Sequence, residues 1–308
     1  MYKIFFIFIF LFLFESSNSF TSQVKIKIKI DGEIITNLDI LDEKNYLLFL
    51  RPKLGSLPEN ELIKIAENSL IREIIKEKEL NKVFKKINNE KFLSDIKKRI
   101  FQLKNVDNEE KFINLTKKSN VEYEKVLKKI EIEALWNELI FRKFNNLVKI
   151  DKDKLKKELL KNISSNKRYE YNLSEILFDL DNNETFENKY KKIINFINDN
   201  DFKSAAIKFS LSNSASRGGE IGWVKETLLS EILNDKLKNL KNSQILEPIK
   251  YPNGFLILKL NQKKEMKQNI DINKELNERI IFEQNKQLNQ FSLLFYKKLK
   301  QNTKINEY

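Results

Sequence analysis

The chain has 308 residues, 41% of them hydrophobic and 33% charged, a globular composition long enough for one large domain or two to three small ones. It holds no cysteine and no histidine, which excludes disulfides, thiol nucleophiles, thiolate and imidazole metal sites, and any catalysis that depends on an imidazole base. Its net charge of +13 comes from lysines that alternate with glutamates and form no arginine-rich block, so it reads as a solvated surface with no nucleic-acid site and only a weak attraction to anionic membrane surfaces.

The first residues, MYKIFFIFIFLFLFESSNSF, carry Lys3, an apolar run from Ile4 to Phe14 and a polar end at Ser17-Asn18-Ser19. The run is shorter than the roughly twenty residues of a membrane span. The pattern predicts a cleavable secretory signal peptide over 1–19, with an uncleaved anchor as the competing reading. Next, VKIKIKIDGEIIT alternates with period two from Val24 to Thr36 around Asp31-Gly32, which predicts a two-stranded hairpin.

Helices are expected after it. Ser56 and Glu59 stand in capping-box spacing with Pro58 in the first turn, and Leu62, Ala66, Leu70 and Ile74 then recur every four residues. Ile63, Ile71 and Ile75 widen that stripe. A second helix is expected through Phe92, Ile96, Ile100 and Leu103, and a third over 108–118. A long one over about 121–148 carries Trp136, Phe141 and Phe144, and a charged one spans 151–162 before the polar ISSNK. The aromatic positions on the long helix suit a core.

The pattern changes after Lys167. RYEYNLSEILFDL predicts a strand, 185–198 and DFKSAAIKFS two helices, and 228–239 a short helix. EPIKYPNGFLILKL predicts two strands around the turn Tyr251-Pro252-Asn253-Gly254. Between them, three of the six glycines, Gly218, Gly219 and Gly222, fall within five positions beside Trp223. Such a cluster marks backbone that needs positive φ or close approach. The tail predicts an amphipathic helix through Leu276, Ile280, Leu288, Phe291, Phe295 and Leu299, whose stripe requires a partner in the N-terminal helices.

The ordered run LSEILF, DFKSAAIKFSLSNSASRGGEIGWV and LEPIKYPNGFLILKL resembles the parvulin-type peptidyl-prolyl isomerase domain over about 168–262. With the leader, the hairpin and the returning C-terminal helix, the layout resembles SurA-like periplasmic chaperones. The resemblance implies an α+β fold. A mainly helical N-terminal chaperone core (20–165) would be completed by a C-terminal helix (264–308), with one parvulin-like domain (166–263) inserted. It further implies a periplasmic location and unfolded polypeptide clients, outer-membrane protein precursors among them, handled without a cofactor.

Carried over by position, the family's first-strand histidine falls on Glu175, its Cys/Asp position on Ser212 and its last-strand histidine on Leu256. All three differ from the family, so the resemblance implies a domain weak or inactive as an isomerase, with an active isomerase as the alternative. The proline pocket falls on Leu229, Leu233 and Phe255. Gly218, Gly219, Gly222, Trp223 and Gly254 are expected to shape turns, with Gly222 and Trp223 under the binding face. Asp179, Asp181 and Glu184 lack ligand spacing, so no metal site is expected.

Overall fold

The computed structural model describes residues 23–84, 94, 97–98, 101, 104–163, 168–180, 184–251, 254–266 and 271–308. The expected signal peptide, the positions Phe92, Ile96, Ile100 and Leu103 of the expected second helix, residues 164–167 of the ISSNK break, Asp181 and the Pro252-Asn253 tip lie outside them. The fold is α+β. β1 (Ile26–Ile30) and β2 (Glu33–Thr36) form the hairpin, and β7 (Ile305–Glu307), from the far end of the chain, adds to the other edge of β1. The expected two strands are therefore three, because Tyr308 N–H also reaches Lys27 O at 2.8 Å and zips the C-terminus onto the hairpin.

α1 (Asn37–Leu50) follows at once and has no counterpart in the sequence pattern. Its apolar residues lie all round, with Ile40, Leu47 and Phe49 buried while Leu38 and Leu41 are exposed. Its start is nonetheless written locally: the Thr36 hydroxyl accepts from Asp39 N–H at 3.2 Å, and the Asp39 carboxylate accepts from Thr36 N–H at 2.7 Å. The box expected at Ser56 and Glu59 does not form. Ser56 belongs to the 3₁₀ turn Pro52–Ser56 and its hydroxyl donates to Lys53 O at 2.8 Å. α2 (Glu59–Val83) instead begins behind Pro58 and buries Leu62, Ile65, Ala66, Ile71, Ile75 and Leu80.

α3 (Glu109–Lys118) is capped by Asn108, and α4 (Tyr123–Phe144) lies across α2. α5 (Lys152–Ile163) leads into a four-stranded antiparallel sheet of order β4-β3-β6-β5. Its strands are β3 (Tyr169–Phe178), β4 (Glu220–Lys225), β5 (Ile249–Tyr251) and β6 (Gly254–Glu265). Between the strands run α6 (Phe186–Asp199), α7 (Phe202–Phe209) and α8 (Glu231–Lys238), each started by a side-chain cap, from Thr185, Asp201 and Ser230.

α9 (Ile272–Gln301) returns across the molecule. Phe295 stacks on Trp136 at 5.6 Å and Phe291 on Phe144 at 5.3 Å, and Trp136 Nε1–H donates to Ser292 Oγ at 2.8 Å. Trp136 is fully buried and Phe144 packs beside it, as their spacing on α4 suggests, whereas Phe141 is exposed and lies outside the core. A fully buried side chain of this kind contributes about 1.5–3 kcal/mol. A second apolar cluster runs without a break from Ile28, Leu47 and Ile71 of the N-terminal elements into Ile176, Phe202 and Ile257 of the sheet and its helices.

Candidate functional site

The β3–β6 register sets which side chains share a face. Glu175 stands opposite Leu258 and Leu177 opposite Leu256, whereas Ile176 pairs with Ile257 and Phe178 with Phe255. Because side chains alternate across a sheet, Glu175, Leu177, Leu256 and Leu258 face one way and the phenylalanines the other. The first group lines a cavity of about 540 Å³, joined there by Ser212, Ile221, Leu229 and Leu233. Its far wall is α9, from Arg279 to Leu293, with Lys149–Glu158 at its side.

One polar cluster lies on this otherwise apolar wall. The Ser212 hydroxyl donates to Glu175 Oε1 at 2.5 Å and the Ser214 hydroxyl donates to the same oxygen at 2.9 Å. Ser210 Oγ accepts from Leu177 N–H at 3.1 Å and from Ser212 N–H at 3.2 Å, tying the loop to β3. Tyr251 also lines the cavity. Burial pushes its hydroxyl above the ordinary value, the Glu175 and Glu283 charges add to that, and a hydrogen bond from Gln290 opposes it.

The glycine turn holds this arrangement in place. Gly218, Gly219 and Gly222 all have positive φ. Glu175 N–H donates to Gly219 O at 2.8 Å, and a Cβ on Gly219 would stand 2.2 Å from Glu175 O. Gly254, at φ +141°, is under the same constraint, its Cβ position lying 2.2 Å from Phe178 O. So two glycines are sterically required for the strand that presents Glu175 and for the one that presents Leu256.

Of the positions singled out from sequence, Glu175, Ser212, Leu229, Leu233 and Leu256 come together in one cavity. Phe255 does not. Its ring packs against Phe186 at 4.5 Å and Phe178 at 5.5 Å on the opposite face, as its register parity requires. Trp223 is 43% exposed on the edge strand β4 with Lys264 Nζ 4.2 Å over its ring, so it does not lie under the binding face. Asp179 pairs with Lys297 and Glu184 with Lys189. Among the described residues no group of three or more acidic side chains is gathered as a metal site, and no helix is long and apolar enough to cross a membrane.

The sequence reading missed Ser214, Tyr251 and the α9 wall. The closely spaced hydroxyls Ser210, Ser212 and Ser214 were the signal on offer, and the turn at 212–214 brings the last two onto one carboxylate oxygen. It also missed a second cavity, of about 570 Å³, enclosed by α1, α2, α4, α7 and α9. Both cavities are lined by Leu211, Ser212, Asn213 and Leu293, so one loop and one α9 side chain separate them. The walls of the second carry Tyr46, Ile65, Ile130 and Trp136 beside a paired set of charges. Lys76 Nζ lies 2.7 Å from Glu133, and Lys129 pairs with Glu73 and with Glu43, the latter at 2.6 Å. Burial pushes the Lys76 ammonium down and the Glu73 carboxyl up from their ordinary ranges.

A family model, Rotamase: PPIC-type PPIASE domain, matches residues 172–262. This segment is a PPIC-type domain. The matched segment thus comprises almost all of the four-stranded sheet with α6, α7 and α8, and it contains the Glu175–Ser212–Ser214 cluster. The chain is also similar to SurA chaperones. It is 40% identical over 70 residues to chaperone SurA of Pseudomonas putida KT2440, covering 23% of this chain and 16% of that protein. Against chaperone SurA of Vibrio parahaemolyticus it is 27% identical over 139 residues, covering 44% and 32%. The matches therefore span between 16% and 32% of those relatives' length. A solved SurA-like chaperone of Campylobacter jejuni aligns with 92% of this chain and 98% of its own at 17% identity, with a TM-score of 0.34.

Proposed function

We propose that the protein is a periplasmic chaperone that holds unfolded exported polypeptides, outer-membrane protein precursors among them, and that its PPIC-type domain binds peptide with little or no isomerase turnover. The observation that carries this reading is the pair of adjoining, largely apolar cavities between that domain and the helices. Together they accept extended apolar chain and shield it from edge-to-edge pairing. The similarity to SurA chaperones supports the same reading, as does the leader-like N-terminus for the periplasm. The division into a helical core over 20–165, the inserted domain over 166–263 and the C-terminal helix belongs to this proposal. The basic surface would add a weak attraction to anionic membranes.

A photo-crosslinking residue in place of Leu233 or Ile130, one per cavity, tests the reading. On illumination it crosslinks to an outer-membrane protein that is still unfolded and does not crosslink once that protein has folded. Failure at both positions contradicts the proposal. Intact-mass measurement of the exported chain tests the leader: loss of about the first nineteen residues is expected.

The Glu175 cluster favours a second reading, an active prolyl isomerase. Rotation about an Xaa-Pro bond breaks no bond and crosses a barrier of about 18–20 kcal/mol, so a grip on the ring and one well-placed acceptor suffice in principle. Short Xaa-Pro peptides distinguish the two. A rate equal to buffer supports the holding domain, and a faster rate lost in Leu229→Ala/Leu233→Ala establishes the enzyme.

A further inference from the structure

The chain supplies almost all its positive charge with lysine, and only seven of its 57 cationic side chains are arginine. Arginine differs in presenting a rigid fork of donors that matches a carboxylate. Arg51, Arg142 and Arg279 each pair with a carboxylate, Asp201, Glu138 and Glu158 in turn. Arg72 and Arg217 do not: no carboxylate lies within ion-pair distance of either among the described residues, and both line the helical cavity.

Arg72 is half-buried on α2 and its guanidinium meets neutral groups, Ser210 O at 3.4 Å and the Tyr296 hydroxyl. Arg217 is exposed at the end of the 3₁₀ turn Ala215–Arg217. The two carboxylates that share the lining are already engaged, Glu133 with Lys76 and Glu73 with Lys129. The cavity therefore holds two guanidiniums without a counter-charge beside apolar walls, where a carboxylate is bound more strongly than at an open surface.

We propose that this cavity selects polypeptide segments carrying a carboxylate among apolar residues, the carboxylate engaging Arg72 and Arg217 while the flanking side chains occupy the walls. The inference rests on the client-holding reading and gives that reading a sequence preference. The carboxylate is either a chain terminus or an aspartate or glutamate side chain, and the same chemistry serves both.

The test uses the purified full chain and one fluorescent apolar heptapeptide in three forms: free C-terminal acid, C-terminal amide, and amide with a central aspartate. Anisotropy titration should show the form or forms that fit binding ~10-fold tighter than the plain amide, the size of one charge-assisted bond. That preference should vanish in Arg72→Gln and narrow as salt is raised. Tighter binding of only one acidic form identifies the source of the carboxylate. Equal affinity for all three forms, or a preference that survives in both Arg72→Gln and Arg217→Gln, overturns the selectivity and leaves the client-holding reading standing. Absence of binding by any form overturns both. Arg217→Gln, on an exposed turn, carries the comparison if Arg72→Gln does not fold.

Discussion

Gly219 offers the sharpest test of how the site is built. Substitution by alanine places a methyl group 2.2 Å from Glu175 O and 3.0 Å from Ala206 Cβ, at a φ of +77°. Gly222 has a similar φ of +91°, but its Cβ would meet nothing within 4 Å. The two substitutions therefore share a backbone penalty of about 1–2 kcal/mol and differ only in the clash. Relief of that clash requires β3 to shift from the turn, weakening the Glu175 N–H to Gly219 O bond of 2.8 Å. Overpacking of this kind adds about 1–3 kcal/mol. Gly219→Ala should thus lose about 2–5 kcal/mol of stability and Gly222→Ala about 1–2 kcal/mol. Urea denaturation followed by tryptophan emission reads both, since Trp223 sits on the strand that leaves this turn. Equal losses for the two variants would refute the claim that close approach to Glu175 is what demands glycine at 219.

Two further outcomes concern how the domain is docked. Lys225 Nζ donates to Glu275 at 2.6 Å and to Glu278 at 2.5 Å, the Thr227 hydroxyl donates to Glu275 at 2.6 Å, and Arg279 donates to Thr227 O at 3.0 Å. Glu275→Gln should cost this clasp about 1–2 kcal/mol and speed amide exchange in 225–228 and at the start of α9, while exposed Lys274→Gln changes neither. Asp201 caps α7 and pairs with Arg51 at 2.5 Å. Against burial, which raises it, the Ser204 N–H and Arg51 hold its carboxyl below the ordinary value. A depressed carboxyl stabilises the fold above the unfolded-chain value near pH ~4 and loses that contribution as the pH falls further. Asp201→Asn keeps a competent cap, so it should lose about 1 kcal/mol at pH 6, with the gap to the unaltered chain closing as the pH falls below ~4. A gap independent of pH would contradict the ion pair's role.

Legibility followed the range of the interactions. Local signals served unevenly: the glycine cluster and the alternation of β1 describe geometry decided within a few residues, whereas the one capping box read from sequence, Ser56 with Glu59, gives way to a 3₁₀ turn. The positions Glu175, Ser212 and Leu256 were legible as a set through the family resemblance, and strand parity alone would have excluded Phe255, which adjoins Leu256 and so faces the other way. What escaped was set by distant partners. β7 has only three residues and becomes a strand because β1 offers it an edge. α1 buries Ile40, Leu47 and Phe49 on a helix with no clean apolar face, so its cap outweighed its periodicity. The α9 wall and the unpaired state of Arg72 depend on packing between residues more than a hundred positions apart, which no local pattern encodes.

The measurement that bears most directly on the account is suppression of aggregation. An unfolded outer-membrane protein is diluted from urea with and without the purified chain, and light scattering is followed over time. The account predicts slower aggregation at near-equimolar chain, retained when Glu175 is replaced by Gln and lost when Leu233 and Ile130 are both replaced by Asp. Scattering unchanged by a molar excess of the folded chain would contradict it.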